Sequence, residues 1–336
     1  MEKLRMELGE ESYDICIGRG LISKCRELIN LDRRVLIVTD SGVPSQYART
    51  VADQCQIAEI VTVPMGEESK SMKTVENLLA RMLKTNMGRR DLCIAVGGGV
   101  VGDLTGFASS LYMRGIDFCN IPTTLLSQLD SSIGGKTAVN FCGVKNVVGS
   151  FHQPKAVIID PEVLSTLSSE QIACGMAEAI KMAAICDEEY FALLEKHCIE
   201  DLKTAYEEVI LGSLRIKKGV VEKDVHEGGL RKILNFGHTL GHGIESLGGV
   251  SHGQAVAYGC MPMTEGSQRE RLGRVFGAYG LKTVYNGDIE AALRPVVHDK
   301  KASAGAVDAV IVDRIGSCRV ERMSLDQFSE RVRKEI

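Results

Sequence analysis

Three of the seven histidines in this 336-residue chain, His238, His242 and His252, fall within a window of fifteen residues. Imidazoles bind divalent metals when neutral and carry protons near neutral pH. Residues 238 and 242 are four apart, so on a helix both rings share a face. Thr239 follows His238, so the H-E-x-x-H pattern of zinc proteases is absent, and its hydrolytic mechanism with it. A metal needs a further ligand, usually a carboxylate from another segment. Glu178, in the string Gly175-Met176-Ala177-Glu178-Ala179-Ile180-Lys181, is an acid set in a small and apolar helix face, although by spacing alone it reads equally as an exposed helical Glu.

Cations gather in similar motif-like strings: Arg114, Lys136, Lys145, Lys181, Lys217 and Arg231 mostly have Gly, Asn, Asp or His close by. Around a metal, such a set would hold a small polyanion, Arg pairing bidentately with carboxylate and Lys meeting phosphate as a point charge. Taken singly, each is more often a solvated surface charge. The turn Gly97-Gly98-Gly99-Val100-Val101-Gly102-Asp103 satisfies G-x-G-x-x-G after a strand and before a helix. Its backbone N–H groups and the positive helix end would suit a phosphate. The fingerprint belongs in a first βα unit, whereas this turn comes about third, so a tight structural turn is an equal reading. Asp40, ending the run Val35 to Thr39, could bind a ribose hydroxyl or serve as a turn residue.

These residues need elements to position them. Up to about residue 160, β-branched runs such as Val35–Val38, Ile60–Val63 and Leu92–Val96 alternate with helical stretches such as Gln46–Gln56 and Ser71–Asn86. That βαβ rhythm predicts an α/β domain over 1–160, Rossmann-like, with an open and mostly parallel sheet. Beyond Pro161, segments rich in Ala, Leu, Glu, Lys and Met predict a mostly α-helical domain over 161–336, carrying metal and substrate, with a strand near Ala309–Val312.

Composition bounds what this assembly can do. Lys plus Arg number 40 and Asp plus Glu 44, leaving a net charge of −4 and no global basic field for nucleic acid or an anionic membrane. No apolar run approaches the ~18 residues of a membrane span. The sequence opening at Met1-Glu2-Lys3-Leu4-Arg5 has no secretory pattern. Eleven cysteines without a C-x-x-C argue against a disulfide framework or thiolate zinc site and predict a reducing, cytoplasmic setting.

Taken together, the strings resemble the 3-dehydroquinate synthase family of NAD- and metal-dependent sugar phosphate cyclases. The likeness rests on Gly66-Glu67 with Lys70, the glycine turn, Tyr112-Met113-Arg114-Gly115 and Pro122-Thr123-Thr124-Leu125-Leu126. It continues in Asp130-Ser131-Ser132-Ile133-Gly134-Gly135-Lys136-Thr137, Lys145-Asn146, Ala177-Glu178 with Lys181, Leu234-Asn235-Phe236-Gly237-His238-Thr239, His252-Gly253 and Asp299-Lys300-Lys301. The resemblance implies one divalent metal, zinc or cobalt, on Glu178, His238 and His252, with His242 left off the metal to handle substrate and protons. It implies NAD contacts at Asp40, Glu67, Lys70, Gly99, Val100, Val101, Gly102, Asp103, Thr123, Thr124, Lys136, Lys145 and Thr166. Catalytic roles fall to Asp130, Lys136, Lys181, Arg231 and His242, and substrate binding to Arg114, Asn146, Lys217, Asn235 and Lys300.

The implied reaction converts 3-deoxy-D-arabino-heptulosonate 7-phosphate to 3-dehydroquinate and phosphate, as in aromatic amino acid biosynthesis. Its steps are transient oxidation of an alcohol by NAD, β-elimination of phosphate, re-reduction and an intramolecular aldol closure. A homodimer is also implied. Another sugar phosphate cyclase and a metal-dependent polyol dehydrogenase remain as alternatives. The chain departs from the family's usual residues at Gly42, Ser168, Glu170, Val225 and Gln254.

Overall fold

The computed structural model describes residues 1–301 and 305–335, leaving out the side chains at 297–301. It divides into two compact units, Met1–Leu167 and Ser168–Ile336. Among the described residues, no helix is long and apolar enough to cross a membrane.

The first unit runs β1 (Glu2–Met6), β2 (Tyr13–Ile17), α1 (Cys25–Leu28), β3 (Arg34–Asp40), α2 (Ser45–Ala52), β4 (Ile57–Val63), α3 (Met72–Lys84), β5 (Leu92–Gly97), α4 (Gly99–Leu111), β6 (Asp117–Pro122), β7 (Lys136–Phe141), β8 (Val144–Phe151) and β9 (Ala156–Ile159). Seven strands form one sheet in the order β1-β2-β9-β6-β5-β3-β4. Every neighbouring pair is parallel except β1 with β2, an antiparallel edge. Strands β3 and β5 are near-continuous apolar runs because helices cover both faces of the sheet. Val35, Ile37, Ile94 and Val96 pack on one face with Ala48 and Val51 of α2. Their neighbours Leu36, Val38, Cys93 and Ala95 pack on the other with Leu78 of α3 and Leu104 and Phe107 of α4, the alternation a strand imposes.

The sequence pattern missed one element here. Strands β7 and β8 pair antiparallel as a hairpin outside the main sheet, and most of β8 is exposed, so it lacks the apolar alternation of a half-buried strand. The hairpin lies tight against α4. A Cβ on Gly106 would stand 2.4 Å from the Thr137 methyl and 3.0 Å from the Phe118 ring. The unit's last turn, Pro161–Thr166, is anchored by Asp160, whose carboxylate accepts the N–H groups of Gly20, Ile22 and Glu162.

The second unit is largely helical: α5 (Ser169–Cys186), α6 (Glu188–Leu194), α7 (Tyr206–Val221), α8 (His238–Ser246), α9 (His252–Cys260), α10 (Gly266–Ala278), α11 (Ile289–Lys301), the antiparallel pair β10 (Ala306–Arg314) and β11 (Ser317–Ser324), and α12 (Leu325–Glu335). Helix α5 is apolar almost all round and therefore central, packing against α7 and α9. A capping box starts it: Ser168 Oγ accepts from the Gln171 amide, and Gln171 Oε1 accepts from the Ser168 amide. Helix α9 reaches α5 through Gly253, where a Cβ would meet the Cys174 Cα at 2.5 Å. That close approach sets the first turn of α9 beside the middle of α5.

Candidate functional site

Glu178 is fully buried on α5. His238 opens α8 after Gly237, whose left-handed φ of 75° turns the chain into the helix. His252 opens α9 after the N-cap Ser251. These three segments bring Glu178 Oε1 to 3.5 Å from His238 Nε2 and 3.3 Å from His252 Nε2. One ligand atom from each of the three lies within 4.8 Å of the others. The remaining ring nitrogens are engaged elsewhere: His238 Nδ1 sits 3.2 Å from the Phe236 carbonyl and His252 Nδ1 3.0 Å from Glu245 Oε2. Both rings therefore present Nε2 to the carboxylate.

This arrangement fits a divalent cation. Lys181, one turn along α5, forms an ion pair with Glu178, yet neither carboxylate oxygen makes an aligned hydrogen bond, an unusual state for a buried polar group. One carboxylate and two imidazoles are also the donor set of an open catalytic zinc site. Burial pushes the Glu178 carboxyl up, but Lys181, His238 and His252 together hold it well below the usual carboxylate range. Burial, helped by Lys181, pushes His238 down to about 3, so it stays neutral with a lone pair free for a metal. His252 is lowered by burial but raised more by Glu178 and Glu245, to about 9. His242 shares the α8 face with His238, the ring centroids 5.0 Å apart, as the four-residue spacing requires. A second cluster, His242, Glu245 and His252, also lies within 4.8 Å.

A cavity of about 700 Å³ opens beside these rings, lined by Asn235, His238, Thr239, His242 and Glu227 among others. Asn235 Nδ2 donates to Glu227 Oε1 at 2.9 Å, and Glu227 has a left-handed φ of 60°. Arg231 is buried, its Nη1 donating to the Val225 carbonyl at 2.6 Å and its amide to Asp224 Oδ2 at 2.9 Å. Asp224 also takes the amides of Gly228 and Gly229, and these backbone bonds hold its carboxyl down. Lys217 on α7 is buried as well.

In the first unit, the glycine turn follows β5, and α4 starts at Gly99 with Gly98 as its N-cap. The first turn of α4 is therefore Gly99, Val100, Val101 and Gly102. Thr123 is buried and donates its amide to the Gly97 carbonyl at 3.0 Å; Thr124 Oγ1 accepts the Ser127 amide at 3.2 Å. Buried Lys70 pairs with Asp103 Oδ2 at 2.5 Å and with Asn146. Asn140 ties this group together, donating to Glu67 Oε1 and accepting from the Asn146 amide, each at 2.9 Å. Asp40 Oδ1 accepts the amides of Gly42 and Val43, the bonding of a turn residue. Arg114 and Asn146 have left-handed φ angles of 68° and 55°, sparsely populated for Arg and tolerated by Asn. Asp130 lies in a π-turn, Ser127–Ser131. Lys136 and Lys145 are exposed on the hairpin, and Thr166 Oγ1 donates to the Val163 carbonyl. The Lys300 side chain lies outside the described residues.

Sequence reasoning missed Glu245, Glu227 and Asn140. A Glu seven residues before His252 looks like any helical acid, and nothing in spacing marks Asn140. The departures have local roles. A Cβ at Gly42 would stand 3.1 Å from Met65 Sδ; Ser168 is the cap of α5; the Val225 carbonyl receives Arg231. Gln254 clasps the Lys282 backbone, donating to its carbonyl at 2.7 Å and accepting its amide at 3.0 Å. Glu170 lies in the first turn of α5, where an acid is favoured by the helix dipole. All eleven cysteines are free, and burial pushes the thiols of Cys25, Cys93 and Cys119 up to about 12, which suits packing and not nucleophilic chemistry.

Two family models match successive stretches of the chain. The family described as 3-dehydroquinate synthase N-terminal matches residues 60–174, and 3-dehydroquinate synthase C-terminal matches residues 175–302. A 3-dehydroquinate synthase of Enterococcus faecalis is 37% identical, covering 99% of each chain. Among solved structures, 2-epi-5-epi-valiolone synthase from Streptomyces hygroscopicus, with NAD+ and Zn2+ bound, superposes with a TM-score of 0.88 at 27% identity, covering 98% of this chain and 97% of that one. A 2-deoxy-scyllo-inosose synthase shares the fold over 100% of both chains, at a TM-score of 0.91 and 23% identity.

Proposed function

This chain belongs to the 3-dehydroquinate synthase family, and on that premise we propose how its residues convert 3-deoxy-D-arabino-heptulosonate 7-phosphate to 3-dehydroquinate and phosphate. Glu178, His238 and His252 hold one divalent metal, zinc or cobalt. The turn Gly99–Asp103 with Asp40, Glu67, Lys70, Thr123, Thr124, Lys136, Lys145 and Thr166 receives NAD. When bound, NAD supplies a hydride acceptor restored within each turnover, and the metal a Lewis acid for the substrate's alcohol oxygens.

The chain's own side chains hold one substrate conformer and move its protons. In the second unit Lys181, Lys217, Arg231, Asn235 and Lys300 bind the substrate's anionic groups, Arg231 bidentately; in the first unit Arg114, Lys136 and Asn146 are the substrate-binding residues. His242, whose ring is exposed to the cavity, and Asp130 transfer protons. We also propose a cytoplasmic homodimer, the first supported by the free cysteines and the second by the family resemblance.

The observation that carries this proposal is the convergence of a buried, poorly hydrogen-bonded Glu178 on two imidazole Nε2 atoms in a chain of this family. Protein given the heptulosonate phosphate, Co2+ or Zn2+, and NAD at catalytic concentration should release phosphate over many turnovers with no net rise in NADH absorbance. NADH accumulating in step with product would replace the cyclase with a dehydrogenase.

A further inference from the structure

The two imidazoles that face Glu178 are held from behind by different groups. His238 Nδ1 faces a neutral backbone carbonyl, that of Phe236. His252 Nδ1 faces a carboxylate, Glu245 Oε2, at 3.0 Å. Glu245 sits on α8, seven residues before His252 in the chain, with its side chain only 18% exposed. The pair thus links the end of one ligand-bearing helix to the start of the other.

Resting on the metal trio proposed above, we infer that Glu245 is a positioning residue for the metal: it fixes the His252 ring so that Nε2, and not Nδ1, is offered to the cation. An imidazole that gives Nε2 to a metal keeps its proton on Nδ1, and that N–H needs an acceptor. Glu245 supplies one in place, which removes ring rotation and selects the tautomer. As an anion it also makes the imidazole a stronger donor than a carbonyl would. His238 receives the weaker form of the same support from the main chain, where no side-chain change can remove it.

Partners of this kind alter metal affinity by roughly 10–100-fold when removed. The test is titration of metal-free protein with Co2+ against a competing chelator, following the visible cobalt bands. Glu245→Ala should raise the Kd about 10–100-fold yet still saturate with one Co2+ and the wild-type band shape, because the three donors are unchanged. Glu245→Gln, nearly isosteric and still an acceptor through its amide oxygen, should fold normally and weaken binding less. Glu178→Gln should lose the stoichiometric site and its bands.

An unchanged Kd in Glu245→Ala, with Glu178→Gln unable to bind, overturns the inference and leaves the trio standing. Loss of the bands in both Glu245 variants while Glu178→Gln keeps them would make Glu245 a ligand, with His242 and His252, and overturn both. Wild-type protein that takes up no Co2+, or Glu178→Gln of unchanged Kd, likewise sinks the trio and the inference with it.

Discussion

Both units place their candidate ligand groups at helix N-termini, but they use that position in opposite ways. In α4 the first turn is Gly99-Val100-Val101-Gly102, with no polar side chain, so what it offers is backbone N–H groups and the positive end of a dipole, suited to an anion. In α8 and α9 the first residues are His238 and His252, and what they offer is side-chain lone pairs. A helix N-terminus repels a cation. The second unit offsets this with the buried carboxylate of Glu178, and burial keeps His238 in the neutral form that a metal requires. One unit builds by leaving side chains out, and the other by converging them from three segments.

The sharpest test of that contrast removes one converging side chain. His238→Ala should abolish stoichiometric metal and lower turnover by about 10³-fold or more, equivalent to roughly 4 kcal/mol of barrier. Metal analysis and phosphate release on the same preparation check it. A variant that keeps its metal and near-normal activity would mean that the trio does not hold the ion.

Next in size is Arg231→Lys, which keeps the charge but loses the planar fork. A charged hydrogen bond contributes about 1.5–3 kcal/mol, so kcat/KM should fall roughly 10–100-fold with metal content unchanged. Equal kinetics would remove Arg231 from the anion site and leave it as a brace for the Val225 carbonyl.

The same contrast explains how much was legible beforehand. The parallel sheet was readable because fully buried strands such as β3 must be continuous apolar runs, and the helix-dominated second half because its long segments keep helical spacing. His238 and His242 were paired by periodicity alone, whereas Glu178 and His252 come together only through the packing of α5 on α9. The β7–β8 hairpin escaped because its exposed strand carries no apolar pattern. Asn140 and Glu245 escaped because their partners are far along the chain or look ordinary in it. Side chains that act on other side chains leave no periodic trace.

A smaller effect separates the units' stability from their chemistry. Gly106→Ala adds a methyl that would clash with the Thr137 methyl and stand 3.0 Å from the Phe118 ring. Overpacking costs about 1–3 kcal/mol, and the helix preference for Ala over Gly returns up to about 1. A net loss of about 1–2 kcal/mol is expected in denaturant unfolding, with the metal content of the second unit unaltered. Unchanged stability would show that the hairpin yields to α4 at no cost.

The smallest expected effect is the most exact test of side-chain convergence, because an acid that the helix dipole favours should here be the worse residue. Gln254→Glu puts an acid at the third position of α9, where the dipole stabilises it by about 0.3–1 kcal/mol and where it could complete a capping box with Ser251, whose Oγ already accepts the 254 amide at 3.4 Å. Against that, Gln254 both donates to and accepts from the Lys282 backbone, and a carboxylate can only accept. The lost bond costs about 0.5–1.5 kcal/mol, and an anionic oxygen is left facing the Lys282 carbonyl. The clasp should win narrowly, lowering stability by about 0.5–1 kcal/mol and the thermal midpoint by a few degrees, while Co2+ affinity is unchanged because His252 keeps both its partners. A raised midpoint would show that the helix terms outweigh the clasp, so that Gln254 contributes nothing to holding α9 where the metal needs it.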